Sequence, residues 1–485
     1  MNIRMAILGR SNRKTQRPRV VVVGAGSAGA VIAARLSQNQ DLDVLLLESG
    51  PDVAGALEVD GIGSTNFVDA LEVENRNLRI PVRRAASQDI SEYVRGTGTG
   101  GSSSVNAMVG MWGMASDYDR WERDLGCDGW SWRDVAPVFA NLPIPLRTTL
   151  SSEWGNVDRA LVDAATELGF ERRDDLSTAP LAGHGVGAVS LTINDGRRAS
   201  VNAVYLEPAR SRFNLEIRGN SAVDRLNMSG NDVVGVRLAD GSDIDADAVV
   251  VCAGAIATPQ ILLRTNIQRS GIGQGVKDHP AVAFTLALKE PSEARYAISA
   301  LLRTTSTTTS EYAENDSAQQ GDIHLLPLNH TTAHDDMHGA MFAAVMRVHS
   351  TGSITDTTID LNLLSDERDM CAMTEATSML ATMIESRSFT GIAASVGVGP
   401  TTDNMQEWLS GNVGSYSHIG CSSKMGAVTD EDAVVDTSGK VIGYNHVWVC
   451  DASIFPDLPT GNTHLPVVMM AERISQRISE SLKTN

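Results

Sequence analysis

The first strong pattern in the chain is an unbroken apolar run, Val20–Val23, the mark of a strand buried on both faces. A glycine-rich turn, GAGSAG, follows. Next come a helical segment with small residues on its packing face, AVIAARLS, and a second apolar strand, DVLLLES, which ends at Glu48. The spacing predicts a βαβ unit over Val20–Gly50. ADAVVVCAGAIATPQILL predicts another buried strand, ending at Ala253-Gly254, and a helix starting near Thr258-Pro259. DGRRASVNAVYLEPARSRFNLEIRGNSAVDRL, from Asp195 to Leu226, reads as turn, helix and strand–turn–strand. AMVGMWGM reads as an apolar helix entered from a loop of glycines and serines, and DYDRWE and GWSWRDVAPVFANL read as amphipathic surface helices.

Residues 281–410 differ in character. Threonine-rich pieces (RTTSTTTS, Arg303–Ser310) mix with alternating strand-like ones (DIHLLPLN, Asp322–Asn329; AMFAAVMRVHS, Ala340–Ser350), which predicts a separate antiparallel sheet. No internal repeat is visible. VDTSGKVIGYNHVWVCDAS predicts a hairpin and a buried strand ending at Asp451. A stiff turn, PTGNTHLP, then opens a C-terminal helix, VVMMAERISQRI.

Composition narrows the classes. A chain of 485 residues, 42% hydrophobic and 20% charged, suits two or three interleaved domains. A net charge of −19 argues against nucleic acid or anionic membrane surfaces as partners. The one basic run, RSNRKTQRPR, lacks the apolar core of a signal peptide and reads as a frayed tail. No apolar stretch reaches the 18 residues of a membrane span. Five scattered cysteines without a C-x-x-C pair predict reduced thiols, no zinc site and a cytoplasmic location. His324, His330, His334 and His338 are irregularly spaced between strand and loop, so no metal site is expected.

The glycines carry the first chemistry. Gly24, Gly26 and Gly29 form G-x-G-x-x-G between strand and helix, where the first makes the turn, the second admits a pyrophosphate to the backbone and the third lets helix and strand close up. The helix start offers amide N–H groups to phosphate, and Glu48, nineteen residues after Gly29, can accept from ribose hydroxyls. A dinucleotide is implied, and a fingerprint so early in the chain favours FAD over NAD. A second glycine cluster, RGTGTGGSSSVNAM, starts at Arg95 and can wrap a ligand with backbone and hydroxyl donors.

R-G-x-x-x-G-G-S-S-x-x-N-x-M followed by D-Y-D-x-W resembles the first signature of the glucose–methanol–choline (GMC) family of FAD oxidoreductases. VVVCAGAIATPQILLRTNI resembles its second signature. GQGVKDHP and DASIFPDLPTGNTHLPVVMMAERI complete four motifs in family order, covering residues 19–280 and 413–480. The resemblance implies an α/β fold. A Rossmann-like FAD-binding domain with a parallel sheet would carry an interleaved substrate domain built on an antiparallel sheet with helices (α+β). The expected boundaries are 19–280 for FAD binding, with 60–93 as a lid or excursion toward the substrate domain, 281–412 for substrate, and 413–485 for the returning segment with the catalytic histidines.

By that resemblance the cofactor site comprises Gly24, Gly26, Ser27, Ala28 and Gly29; Glu48 and Ser49; Arg95, Gly100, Gly101, Ser102, Ser103, Asn106, Ala107, Met108 and Val109; Val223 at the adenine; Ala253 and Gly254; Asp451 and Ala452; and Asn462, Thr463, His464 and Leu465. His418 falls on the histidine of the family's H-x-x-G-T-C-x-M-G stretch and is expected to be the base. His464 is expected opposite it, held by the Pro459–Pro466 turn, to bind the substrate oxygen or share the proton. Alcohol oxidation needs such groups: a hydride leaves carbon readily only as a base removes the hydroxyl proton, and imidazole titrates in the right range.

Three departures from the family pattern stand out. Trp112 replaces a usual arginine. Val105 lies near where some relatives attach flavin through histidine, so non-covalent FAD is expected. Leu142–Trp154 is short. GWSW followed closely by PIPLR is similar to GMC proteins of the mycofactocin redox system, whose substrate is a reduced peptide-derived cofactor. The small-molecule alcohol and the electron acceptor (oxygen, a quinone or a respiratory-chain component) stay open. The alternative is a non-redox lyase, of hydroxynitrile-lyase type, on the same flavin scaffold.

Overall fold

The computed structural model describes residues 17–55, 58–178, 184–307, 321–332 and 335–483. His334, the last three residues of the threonine-rich run and most of the basic run lie outside them.

Five short strands make the first sheet. In spatial order they are Leu215–Arg218, Asp43–Leu47, Arg19–Val23, Ala248–Val251 and Val447–Val449, every neighbouring pair parallel. Valine and leucine fill both faces, as a doubly covered sheet requires. The helix Gly29–Leu36 and the C-terminal helix His464–Lys483 lie side by side, joined by an Arg35–Glu472 pair at 2.7 Å to which Tyr205 adds a hydroxyl. The register aligns Val23 with Leu47 and Val251, and Val251 with Val449. One edge of the sheet therefore collects Gly24, Glu48, Ala253 and Asp451 just beyond the strand ends. That is where open α/β sheets bind ligands.

The second sheet has eight strands and is antiparallel except at one end. Its main order is Ala393–Val396, Pro280–Leu288, His338–Val345, Ile323–Leu328, Ala300–Thr304, Gly185–Ala188 and Arg172–Arg173, with Gly414–Ser415 also on Pro280–Leu288. The helices Asn156–Glu167 and Glu367–Ile384 cover it. The sheet thus draws strands from residues 172–188 and 414–415 as well as from 281–412. Within 60–93, Asn77–Val82 forms a hairpin with Ser91–Gly96, and Arg83 bridges to Asp360.

Two local expectations are corrected. AMVGMWGM is extended, not helical: Met108 has φ 61° and Gly113 φ 80°, and the segment bonds sideways, Gly110 N–H to Ser190 O and Thr192 N–H to Met108 O. The helix starts only at Ala115, and the second glycine cluster leads into a single 3₁₀ turn, Gly101–Ser104. The helix expected to start near Thr258-Pro259 starts at Gly254, which places Pro259 in its second turn. The ring leaves the Ala255 carbonyl without its helical donor, and the Ser422 hydroxyl supplies one at 2.6 Å.

Candidate active site

The glycines divide into two kinds. Gly24 has φ 96°, and a Cβ there would lie 2.5 Å from the Cys252 carbonyl; a Cβ on Gly29 would lie 1.8 Å from the Gly24 carbonyl. Both are small because the chain crosses itself at the strand ends. A Cβ on Gly26 would meet nothing nearer than Gly101 Cα at 3.9 Å, and one on Gly254 would meet nothing within 4 Å. These two expose bare backbone to open space.

Glu48 is buried, and its carboxylate accepts from the amides of Ala25 (2.8 Å), Gly50 (2.9 Å) and Gly98 (3.0 Å) and from Ser49 Oγ. It ties the two glycine clusters together, with lone pairs remaining for ribose. Ser221 N–H bonds the Glu48 carbonyl, which sets Val223 beside this edge. Asp451, also buried, accepts from Gly254 N–H (2.8 Å), Thr258 Oγ1 (2.6 Å) and Ser453 N–H (2.8 Å), bracing the helix start against the C-terminal segment. In the second cluster Ser102 Oγ accepts from Gly96 N–H, Ser103 Oγ links Gly100 to Val201, and Ala107–Val109 run along the Ser190–Thr192 segment, with Val109 bridged to Leu191.

Arg198 was not among the expected residues. Only 5% exposed, it donates to the carbonyls of Ile62, Ser103 and Asn106 and to Asn106 Oδ1; among the described residues no carboxylate pairs with it and Nη2 has no partner. Burial pushes its pKa down to about 9. A buried cation without a counter-ion is expensive and calls for an anion. His464 lies within its field. The ring Nδ1 meets Ser27 Oγ at 3.1 Å, and Nε2 is buried without a partner. Bare glycine backbone, an uncompensated guanidinium and an orphan imidazole nitrogen on one edge fit the diphosphate and flavin of the implied FAD.

His418 stands in a different setting. Its Nδ1 is 2.9 Å from Nδ1 of His279, with the two rings perpendicular, and its Nε2 is 3.3 Å from Asn462 Nδ2. The Pro459–Pro466 turn brings Asn462 to His418, while His464, the first residue of the helix, turns to Ser27 in the fingerprint loop. Behind the pair, Asp278 Oδ1 accepts the backbone N–H groups of both His279 and His418 at 2.8 Å. Tyr93 OH donates to its Oδ2, and Arg95 donates to Tyr93. Arg95 thus supports the histidines from behind. Desolvation holds His418 well below the usual imidazole range, aided by His279 and Arg95. Burial lowers His279 to about 3 and His464 to about 4. All are neutral at pH 7, so His418 can accept a proton.

Asp278, His279 and Tyr93 were missed in the sequence. The only signal was DH set directly before the apolar strand PAVAFTLAL. Cys421 falls on the motif's glycine and takes φ 64°, a left-handed conformation that a side chain rarely adopts. Trp112 stacks on Phe139 at 5.5 Å and packs near Trp132, so it fills an aromatic cluster. The three described downstream histidines do not converge. His324 is buried near His279 and His418, His338 is exposed on Asp335, and His330 lies by the Ala294 carbonyl.

The family model for the N-terminal part of GMC oxidoreductases matches residues 19–281, and that for the C-terminal part matches 345–471. The chain belongs to the GMC oxidoreductase family. An oxygen-dependent choline dehydrogenase of Paraburkholderia phytofirmans is 30% identical across 94% of this chain and 93% of its own. Among solved structures, pyridoxine 4-oxidase from Mesorbium loti is 25% identical with a TM-score of 0.84, covering 96% and 99% of the two chains. A fungal aryl-alcohol oxidase, 16% identical, shares the fold at a TM-score of 0.80 over 96% and 100%. GMC oxidoreductases are flavin enzymes that act on CH–OH donors. Among the described residues no helix of this GMC oxidoreductase is long and apolar enough to cross a membrane.

Proposed function

We propose that this chain binds FAD without a covalent link and oxidises a small-molecule alcohol, with His418 as the general base. The observation that carries this reading is the state of His418: buried, neutral, clamped from behind, and presenting Nε2 beside Asn462. The bound flavin supplies the hydride acceptor. The chain's own residues bind the alcohol, take its hydroxyl proton on His418 Nε2 and keep bulk water away. Gly24–Gly29, Glu48, Gly100–Ser103, Arg198, Gly254 and His464 would hold the cofactor. The choline, pyridoxine and aryl-alcohol names of the relatives support a primary alcohol as donor. GWSW followed closely by PIPLR, with the short Leu142–Trp154 connection, supports the narrower reading of a mycofactocin-type substrate with an acceptor other than oxygen.

The test is anaerobic reduction of the purified yellow protein by a panel of alcohols, reduced mycofactocin included. His418→Ala should retain flavin and reduce it about 10²- to 10⁴-fold more slowly. Unchanged reduction in that variant would sink the assignment. A parent that keeps its colour with every alcohol but releases cyanide from a cyanohydrin would establish the lyase instead.

A further inference from the structure

The His279–His418 contact has a definite proton arrangement. Two Nδ1 atoms 2.9 Å apart share one hydrogen, so one donates and the other accepts. The two outer nitrogens decide which. Asn462 Nδ2 is a donor, so Nε2 of His418 must be a bare lone pair, which puts the ring hydrogen on its Nδ1. At the other end, the Met346 backbone favours a protonated His279 ring, and with Nδ1 turned to His418 the nitrogen left to carry that hydrogen is Nε2, which makes no full hydrogen bond. That end calls for hydrogen on Nε2, leaving Nδ1 of His279 bare. Both ends give the same answer: His418 Nδ1–H donates to His279 Nδ1.

We propose that His279 is the positioning partner of the base: its Nδ1 lone pair holds His418 in the tautomer that aims a free Nε2 at the alcohol. This rests on the reading of His418 as base. In the step itself the alcohol O–H breaks and its proton goes to His418 Nε2. The C–H electron pair would leave with its hydrogen as hydride, for which the FAD, when bound, would supply the acceptor, and a carbonyl would remain. The cation formed on His418 keeps its Nδ1–H directed at His279, which shares the charge through that bond. In many hydrolytic sites a carboxylate orients the histidine in this way. Here the acceptor is neutral, so the base stays weak and remains unprotonated into acid. The Asp278 carboxylate grips both backbones but faces Tyr93 with its other oxygen, and so sets the distance between the rings without charging them. The remaining titratable groups around the pair are Arg95, Tyr416 and the neutral His324 toward His418, and Lys277 and Asp457 toward His279; Asp457 is itself bonded to Lys277 and Arg120.

The experiment uses FAD-loaded protein, with nitrogen NMR of ¹⁵N-histidine label and single-turnover flavin reduction across pH. His418 resonances are identified by their loss in His418→Gln. The parent should show His418 protonated at Nδ1 alone. His279→Asn, which keeps an acceptor near the Nδ1 position, should preserve that state and reduce flavin within about 5-fold of the parent. His279→Leu should give a tautomer mixture and about 10²-fold slower reduction. His279→Asp, with a charged acceptor, should move the acid limb of the rate profile to higher pH. If Leu fails to fold, the Asn and Asp variants still decide. His418 protonated at Nε2 in the parent, equal behaviour of Asn and Leu, or an unmoved acid limb in Asp would each overturn the proposal. Should His418→Ala reduce flavin as fast as the parent, the base reading falls instead, whatever the His279 variants do.

Discussion

The two halves of the molecule build their chemistry from different materials. At the parallel-sheet edge, backbone dominates. Glycines 24 and 29 let the chain cross itself, Gly26 and Gly254 leave open space where a side chain would stand, and the carboxylates of Glu48 and Asp451 face inward to bind N–H groups. At the antiparallel sheet, side chains dominate: Arg95, Tyr93, Asp278, His279 and His418 form one polar chain, buried except at Arg95. A surface made of backbone recognises what many ligands share, phosphate and ribose. A network of side chains can place one lone pair.

Substitutions at glycine separate the two duties most sharply. Gly29→Ala would drive a Cβ to 1.8 Å from a carbonyl oxygen and should yield no soluble flavoprotein. Gly26→Val has room in the chain itself, so it should melt within a few degrees of the parent apoprotein yet lose FAD on gel filtration. Equal melting and equal flavin content in both variants would erase the distinction. Arg198→Met sharpens it further. Removing an unpaired buried cation should leave the apoprotein as stable or more so, while FAD affinity, followed by fluorescence titration, falls about tenfold.

Acid should act through the side-chain half. The imidazoles of His279, His418, His324 and His464 are all held below their ordinary range by burial. Between those depressed values and about 6.5 the unfolded chain binds more protons than the folded one, so stability falls as pH drops through that window. Melting temperature should be flat above about pH 7 and decline below about 6. A flat curve down to pH 5 would contradict the buried neutral cluster. The smallest effect belongs to Trp112→Phe: Nε1 has no partner, so only stacking on Phe139 changes, and stability should shift by about 1 kcal/mol or less.

The difference also explains what could be read before the structure. The fingerprint was legible because its causes are local; each glycine answers a steric demand within a few residues or at a neighbouring strand end. The parallel strands declared themselves as valine and leucine runs. AMVGMWGM misled because its apolar side chains suit a helix, while its backbone is held extended by partners eighty residues away. The polar chain behind His418 was hidden for the same reason: residues near 93, 278 and 418 meet only when two sheets have formed. His418 was found through its motif. The motif did not show that the second nitrogen belongs to His279, or that Asn462 and not His464 would touch it.

The strand Val447–Val449 has a consequence for how this enzyme comes into being. It pairs with Ala248–Val251, and Asp451 just beyond it braces Gly254. The ribosome makes this piece some two hundred residues after its partner strand. Until it emerges, an incomplete sheet edge is exposed, and contacts spanning some two hundred residues wait to close, which favours slow assembly and chaperone dependence. A ribosome stalled before residue 447 would therefore display a long nascent chain with strong flavin-loop sequence and no capacity to retain flavin. Cofactor capture would then report that the fifth strand has joined the sheet.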